Sequence, residues 1–206
     1  MNRLTIVLLS AILASNVLAD GKVWIVEPVL GYQFGKWNQA RESDDYQVSA
    51  AGASNGVVFG AKVSYVWKIL IFGMGYYRAS LKMTYNKEDD DYDEDWDESV
   101  SVTHSYIPIY LGFLGSGGKY GFKAGYLYSN NYTVDAEFNE DEDEDGYEYT
   151  GTGMMYEMSW GIRTNTRILF TYTTNEFDER GEDDDVEYDP LYYQQYMLGV
   201  SFPFTF

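Results

Sequence analysis

Apolar and polar residues alternate with a period of two through most of the chain after residue 21. This period is typical of β-strands, in which successive side chains point to opposite faces. The last segment, 192–206, shows it most clearly. Its even positions carry Tyr, Gln, Tyr, Leu, Val, Phe, Phe and Phe, while its odd positions include Gln195, Gly199, Ser201 and Thr205. Such a strand turns one face to an apolar environment and the other to a polar one.

The alternation and the turn residues predict eight strands and two kinds of connection. The strands cover 22–37, 57–67, 69–86, 99–114, 119–135, 149–162, 166–177 and 191–206. Connections near 68, 116–118 and 164–166 are tight, whereas the segments 38–56, 87–98, 136–148 and 178–190 are long and polar. This rhythm is typical of an all-β, antiparallel, up-and-down transmembrane barrel with short periplasmic turns and long acidic external loops.

A soluble lipocalin-like barrel is the competing interpretation, with apolar side chains inside and charges outside. In the candidate strands, however, the polar face carries small or single charged residues, and the other face is bulky and aromatic. Such faces fit a narrow filled lumen and a lipid-facing wall. In the third candidate the alternation changes phase near Arg78, which predicts a bulge or a different strand boundary there.

The first nineteen residues have the features of a cleaved secretory signal peptide. Arg3 precedes the short apolar stretches 4–9 and 11–14, and Ala19 ends a segment typical of a signal-peptide cleavage site. Residues 20–206 then form one barrel domain in the cell outer membrane. Because the chain has no cysteine, neither disulfides nor a thiolate metal site is predicted. No apolar stretch after the signal is long enough to cross a bilayer as a helix.

Acidic residues give the chain a formal net charge of −19, and 27 of its 33 acids lie in the segments 88–98, 135–148 and 176–189. This charge disfavours nucleic acid as a partner. Asp141, Asp143 and Asp145, followed by Gly146, match the opening of a calcium-binding loop, but the twelfth position is Thr152 instead of glutamate. Two interpretations stay open: loose binding of Ca²⁺ or Mg²⁺, or solvated anionic loops without ligand.

A group of charged residues falls on the polar faces of the predicted strands and is therefore expected inside the barrel. Buried charges have to be paired, so these residues predict an internal ion-pair network. The alternative is a charged constriction in a narrow pore, which inward tyrosines at 106 and 110 would tighten further. The predicted network consists of Glu27, Lys62, Lys123 and Glu157, with Arg78 or Arg167 as further members.

Catalysis has little support in the sequence. His104 is the single histidine, and a lipid hydrolase would require a serine and an acid beside it. The adjacent Ser105 points to the opposite face of the same strand, so the two cannot pair directly. We therefore predict that the protein is not an enzyme and binds no cofactor beyond loosely held Ca²⁺ or Mg²⁺.

Three features resemble the outer-membrane protein beta-barrel domain family, the small eight-stranded barrels of Gram-negative envelopes. The chain ends in a strand with Phe202, Phe204 and Phe206, similar to the signal that the barrel-assembly machinery recognises. Residues 106–112, Tyr-Ile-Pro-Ile-Tyr-Leu-Gly, are similar to a middle-strand segment of that family, and the signal peptide leads directly into a strand. The resemblance implies fold and compartment but no single activity, because the family is functionally mixed.

The sequence thus predicts a monomeric outer-membrane barrel with a structural or surface-interaction role. Its expected partners are outer-membrane lipid and lipopolysaccharide, together with the assembly machinery during biogenesis. The alternative function is a narrow, cation-preferring pore for small solutes.

Overall fold

The computed structural model describes residues 22–43, 46–87, 97–115, 119–135, 148–163, 165–179 and 190–206. These residues form eight long antiparallel strands and one short continuation of the last. The strands are β1 (Lys22–Ser43), β2 (Tyr46–Trp67), β3 (Leu70–Lys87), β4 (Asp97–Leu114), β5 (Tyr120–Asp135), β6 (Glu148–Arg163), β7 (Thr166–Glu179), β8 (Leu191–Ser201) and β9 (Phe204–Thr205).

The sheet closes on itself, because β1 pairs with β2 on one side and with β8 and β9 on the other. Starting at Trp24 and following paired residues once around the barrel leads to Phe34, ten residues further along β1. Eight strands with this stagger tilt by roughly 40° from the barrel axis. The structure therefore confirms the predicted closed antiparallel barrel.

The two ends of the barrel differ in their connections. At the turn end lie the connections Trp67 to Leu70, Leu114 to Tyr120 and Arg163 to Thr166, together with Phe206. At the loop end lie the longer connections from β3 to β4, from β5 to β6 and from β7 to β8. In the first tight turn Lys68 has a φ of 59°, a left-handed conformation that closes the two-residue connection of β2 to β3. No helix in the described ranges is long and apolar enough to cross a bilayer.

The predicted first loop, 38–56, is wrong. β1 and β2 remain paired from Lys22 opposite Trp67 as far as Ser43 opposite Tyr46. Residues 47–56 are mostly small or polar and therefore lack apolar alternation, although their backbone continues the ladder. Where a strand extends past its apolar surroundings, it no longer needs an apolar face. The alternation therefore ends before the strand does.

The predicted phase change at Arg78 is also wrong. Arg78 pairs with Phe59 on β2 and with Ser105 on β4, and both registers continue without a shift. The chemistry of the two faces changes instead. From Arg78 to Thr84 the outward side chains are polar, whereas the inward ones, such as Ala79 and Leu81, are apolar and buried. Arg78 itself is exposed on the outer wall, so it does not belong to the lumen.

Two prolines interrupt the ladders, because proline has no N–H to donate. Pro108 lies where the β4–β5 register shifts, and the shift leaves Tyr128 of β5 unopposed and 72% exposed. Pro203 separates β8 from β9, so the predicted strand 191–206 is divided into two pieces.

Outward and inward faces follow the predicted assignment in β1, β2, β5 and β6. Their bulky apolar residues are exposed or half-buried, while the polar face is buried. In β1, for example, Leu30, Tyr32 and Phe34 are about half exposed, whereas Glu27 and Gln33 are buried. The barrel therefore has an apolar outer wall and an interior that contains its buried charges.

Candidate functional site in the barrel lumen

Two cross-strand pairs place four charged side chains in the lumen. Glu27 of β1 is directly opposite Lys62 of β2, and Lys123 of β5 is directly opposite Glu157 of β6. All four residues have no solvent exposure. Because β1 and β2 lie across the barrel from β5 and β6, the two pairs point toward each other through the interior.

The two pairs meet at Glu157. The Lys62 ammonium donates to both of its carboxylate oxygens, at 2.8 and 3.0 Å, and the Lys123 ammonium donates at 2.6 Å. Glu27 lies 3.2 Å from the Lys62 nitrogen and 3.5 Å from that of Lys123. Arg167 of β7 approaches Glu27 at 3.5 Å. We call Glu27, Lys62, Lys123, Glu157 and Arg167 the lumen charge cluster.

Neutral groups that the sequence analysis did not assign complete this cluster. The Tyr77 hydroxyl donates to Glu157 at 3.4 Å, and the Ser201 hydroxyl donates to Glu27. The Lys123 ammonium also lies 5.2 Å from the centre of the Tyr110 ring, within cation–π range. Because these partners come from β3, β4 and β8, sequence spacing gave no signal for them; the barrel register brings them together.

Gly75 makes room for the cluster. It is directly opposite Lys62 on β3, and a Cβ atom there would lie 3.2 Å from the Lys62 methylene chain and 3.1 Å from the Tyr77 ring. A side chain at this position would press against both residues. Glycine therefore allows the lysine stem and the tyrosine ring to pack side by side.

Apolar clusters cover the lumen charge cluster on both sides. At the turn end lie four buried residues: Ile25, Val66, Ile71 and Leu114. Toward the loop end a larger cluster includes Tyr77, Tyr106, Leu127 and Met155, with Tyr77 and Tyr106 stacked at 4.9 Å between ring centres. The charges are thus enclosed by packed side chains in the described part of the interior.

His104 belongs to a second polar group, nearer the loop end. Its Nε2 lies 2.7 Å from the Asn130 side-chain oxygen, and the Gln195 amide lies 3.2 Å from its Nδ1. Asn130 also donates to Asn175 at 3.0 Å, and Thr173 donates to Gln195 at 3.1 Å. No described serine or carboxylate contacts His104, so the described residues assemble no nucleophile–histidine–acid arrangement.

The other predicted site residues lie elsewhere. Phe202, Phe204 and Phe206 all point outward and are 39–50% exposed, and β9 pairs with Ile25 and Val26 of β1. Asp141, Asp143 and Asp145, like the predicted signal peptide at 1–19, lie outside the described residues. Within the described ranges no three metal-ligating side chains converge.

Similarity to known proteins is found in structure but not in sequence. No protein-family model matches the chain, and no curated protein matches it. The outer membrane protein OprG from Pseudomonas aeruginosa matches 89% of this chain and 96% of its own, with a TM-score of 0.53 and 11% identity. This chain has the fold of a small outer-membrane β-barrel. Neisserial surface protein A matches 90% of this chain and all of its own, with a TM-score of 0.47 and 14% identity.

In this barrel the lumen charge cluster and its two apolar neighbours occupy the space that a conducting barrel leaves open to water. The arrangement can rigidify the wall, because ion pairs join β2 to β6 and β1 to β5 across the lumen. The chemistry of the site is therefore that of an internal crosslink.

Proposed function

We propose that the chain is an integral protein of the bacterial outer membrane and acts as a closed barrel with a structural or surface-interaction role. The outward faces support membrane insertion, since soluble proteins rarely expose contiguous apolar patches larger than a few hundred Å². A closed barrel also pairs its backbone groups without a free edge, as hydrocarbon requires. The exposed apolar side chains include Leu30, Phe59, Phe72, Leu111, Phe113, Met158, Trp160 and Leu198.

The observation that carries the closed-barrel proposal is the packing of the lumen. A conducting path would have to pass the lumen charge cluster, whose five members are joined by ion pairs, and the stacked Tyr77 and Tyr106 rings beyond it. Opening such a path through the cluster would leave at least one buried charge without its partner, which costs several kcal/mol. This cost argues against the alternative of a narrow cation-preferring pore.

The loop end supports a surface role. The three acidic segments 88–98, 135–148 and 176–189 connect or flank strands that end there. We propose that these segments form an anionic surface that loosely binds Ca²⁺ or Mg²⁺. Such cations would bridge the carboxylates to lipopolysaccharide phosphates, since two anionic surfaces repel each other without them.

Conductance across a planar bilayer tests the closed-barrel proposal. The refolded protein is expected to give no discrete steps above leak. A variant with Tyr77→Ala and Tyr106→Ala removes the two stacked inward rings and should begin to conduct if packing closes the lumen. Its matched control, Tyr76→Ala with Tyr156→Ala, removes two outward rings and should remain closed. Discrete steps from the unmodified protein would support the pore instead.

A further inference from the structure

Two cations face outward from β3 although the chain as a whole is strongly acidic. Arg78 and Lys82 are exposed, and Ser80 lies between them on the same face. Across the ladder their partners on β4 all carry hydroxyl groups: Ser105, Thr103 and Ser101. Neither cation forms an ion pair with any residue that the structure describes. We call these six residues the β3–β4 polar patch.

A shallow groove of about 420 Å³ lies along the part of this patch that is nearer the loop end. Its lining includes Ser80, Lys82, Ser101 and Thr103, and it continues across β2 to Tyr32 of β1. On that side the Tyr32 hydroxyl donates to the Asn55 side-chain oxygen at 2.9 Å, which fixes the rim of the groove. Hydroxyl groups and ammonium or guanidinium groups are thus presented together on an outer wall.

The patch directly adjoins the band of exposed apolar side chains on the outer wall, called the apolar band below. Along β3 the outward residues are Phe72, Met74 and Tyr76, each about half exposed, and Arg78 is the next outward residue. On β4, which runs antiparallel to β3, the partly exposed Ile107 and the exposed Ile109 follow Ser105 and therefore lie on its turn-end side. A molecule with acyl chains on the band would therefore place its headgroup on the patch.

We propose that the β3–β4 polar patch binds the phosphate groups of an anionic membrane lipid. Arg78 and Lys82 supply charge-assisted hydrogen bonds, and the β4 hydroxyl groups supply neutral ones. A lipid fits this surface better than a soluble anion for two reasons. Its chains bury the adjoining apolar residues, and its attachment to the bilayer overcomes the repulsion from the net charge of −19 that a soluble anion meets. The inference rests on the membrane insertion proposed above.

Lipid retention after reconstitution tests the inference. The protein is refolded into phosphatidylcholine vesicles containing a minor fraction of phosphatidic acid, extracted in mild detergent, and analysed for bound lipid by native mass spectrometry. Arg78→Gln with Lys82→Gln should lower the apparent affinity for phosphatidic acid roughly tenfold, as expected for two lost charge-assisted contacts. Arg78→Lys with Lys82→Arg keeps both charges and should retain most of the binding.

A single-site control distinguishes lipid binding at the patch from a general effect of losing one positive charge. Lys36→Gln removes another outward cation of the same half of the barrel, on β1 and outside the groove, and should change retention less than twofold, whereas Lys82→Gln alone should lower it severalfold. Equal retention by Lys82→Gln and Lys36→Gln would overturn the inference while insertion stays intact. Failure of the unmodified protein to insert would overturn the membrane proposal as well. Equal binding of soluble glycerophosphate in lipid-free detergent would show that a free anion is the ligand, which also contradicts it.

Discussion

Replacing Glu157 with glutamine removes one charge from the centre of the barrel with little change in shape. In the native lumen charge cluster three cations face two carboxylates, and Glu157 accepts contacts from both lysines at 2.6–3.0 Å. After the substitution Lys62, Lys123 and Arg167 would share Glu27 alone. The change therefore raises the excess of positive charge in the cluster from one to two.

The expected cost follows from burial. Removing one partner of a buried pair typically destabilises a protein by about 3–5 kcal/mol, because the remaining charge stays desolvated. Glutamine can still accept a hydrogen bond from one lysine, which favours the lower end, about 3 kcal/mol. This corresponds to roughly a hundredfold change in the unfolding equilibrium constant. Glu157→Gln with Lys123→Met restores the native charge balance and should recover much of this loss.

Urea unfolding in lipid vesicles, followed by tryptophan fluorescence and by gel mobility before and after boiling, measures these differences. Glu148→Gln is the matched control, since Glu148 lies on the same strand but is exposed, and it should change stability by less than about 0.5 kcal/mol. If Glu157→Gln were no more destabilising than Glu148→Gln, the carboxylate would not be buried and paired. If the double variant were worse than the single one, the charge-balance reasoning would be wrong.

Three further predictions concern the wall, the strand ends and the acidic segments. Leu111→Arg places a charge on the exposed apolar wall and should destabilise the barrel in vesicles by about 2–4 kcal/mol, whereas Ser80→Arg should have little effect. If urea titration gave the two variants a similar loss of unfolding free energy, the outward apolar wall would be contradicted. Backbone amides of 38–43 and 46–56 should exchange with deuterium as slowly as those of 57–67, because β1 and β2 are paired throughout. Fast exchange at 38–56, measured by mass spectrometry, would support the loop that the sequence predicts there. Millimolar Ca²⁺ or Mg²⁺ should slow proteolysis of the acidic segments, and unchanged cleavage rates would remove the cation-binding proposal.

The closed barrel could be predicted from the sequence because alternation reports the environment on the two faces of a strand. This signal is strong wherever one face is apolar, as in 57–67. It fails at 38–56, where the strands continue through mostly small or polar residues, and near Arg78, where the outward side chains become polar. Alternation therefore locates the apolar band, whereas the hydrogen-bonded ladder determines where a strand ends.

The candidate site could be predicted only in part for a related reason. Glu27, Lys62, Lys123 and Glu157 stand out as single charges on otherwise small polar faces. Tyr77 and Ser201 carry no such signal, because an inward tyrosine or serine differs little from an ordinary filling residue. Their contacts depend on the stagger of ten residues around the barrel, which is a property of all eight strands together.

A cysteine scan along β4 tests most directly which way the side chains point, since the native chain contains no cysteine. Single cysteines at 109, 110, 111, 113 and 114 would each carry a small fluorophore, and lipids with a quencher on the acyl chain would be added after refolding. Labels at 109, 111 and 113 are expected to be strongly quenched. Labels at 110 and 114 are expected to be protected, as Tyr110 and Leu114 are buried. The opposite pattern, or equal quenching at all five positions, would contradict the outward apolar wall.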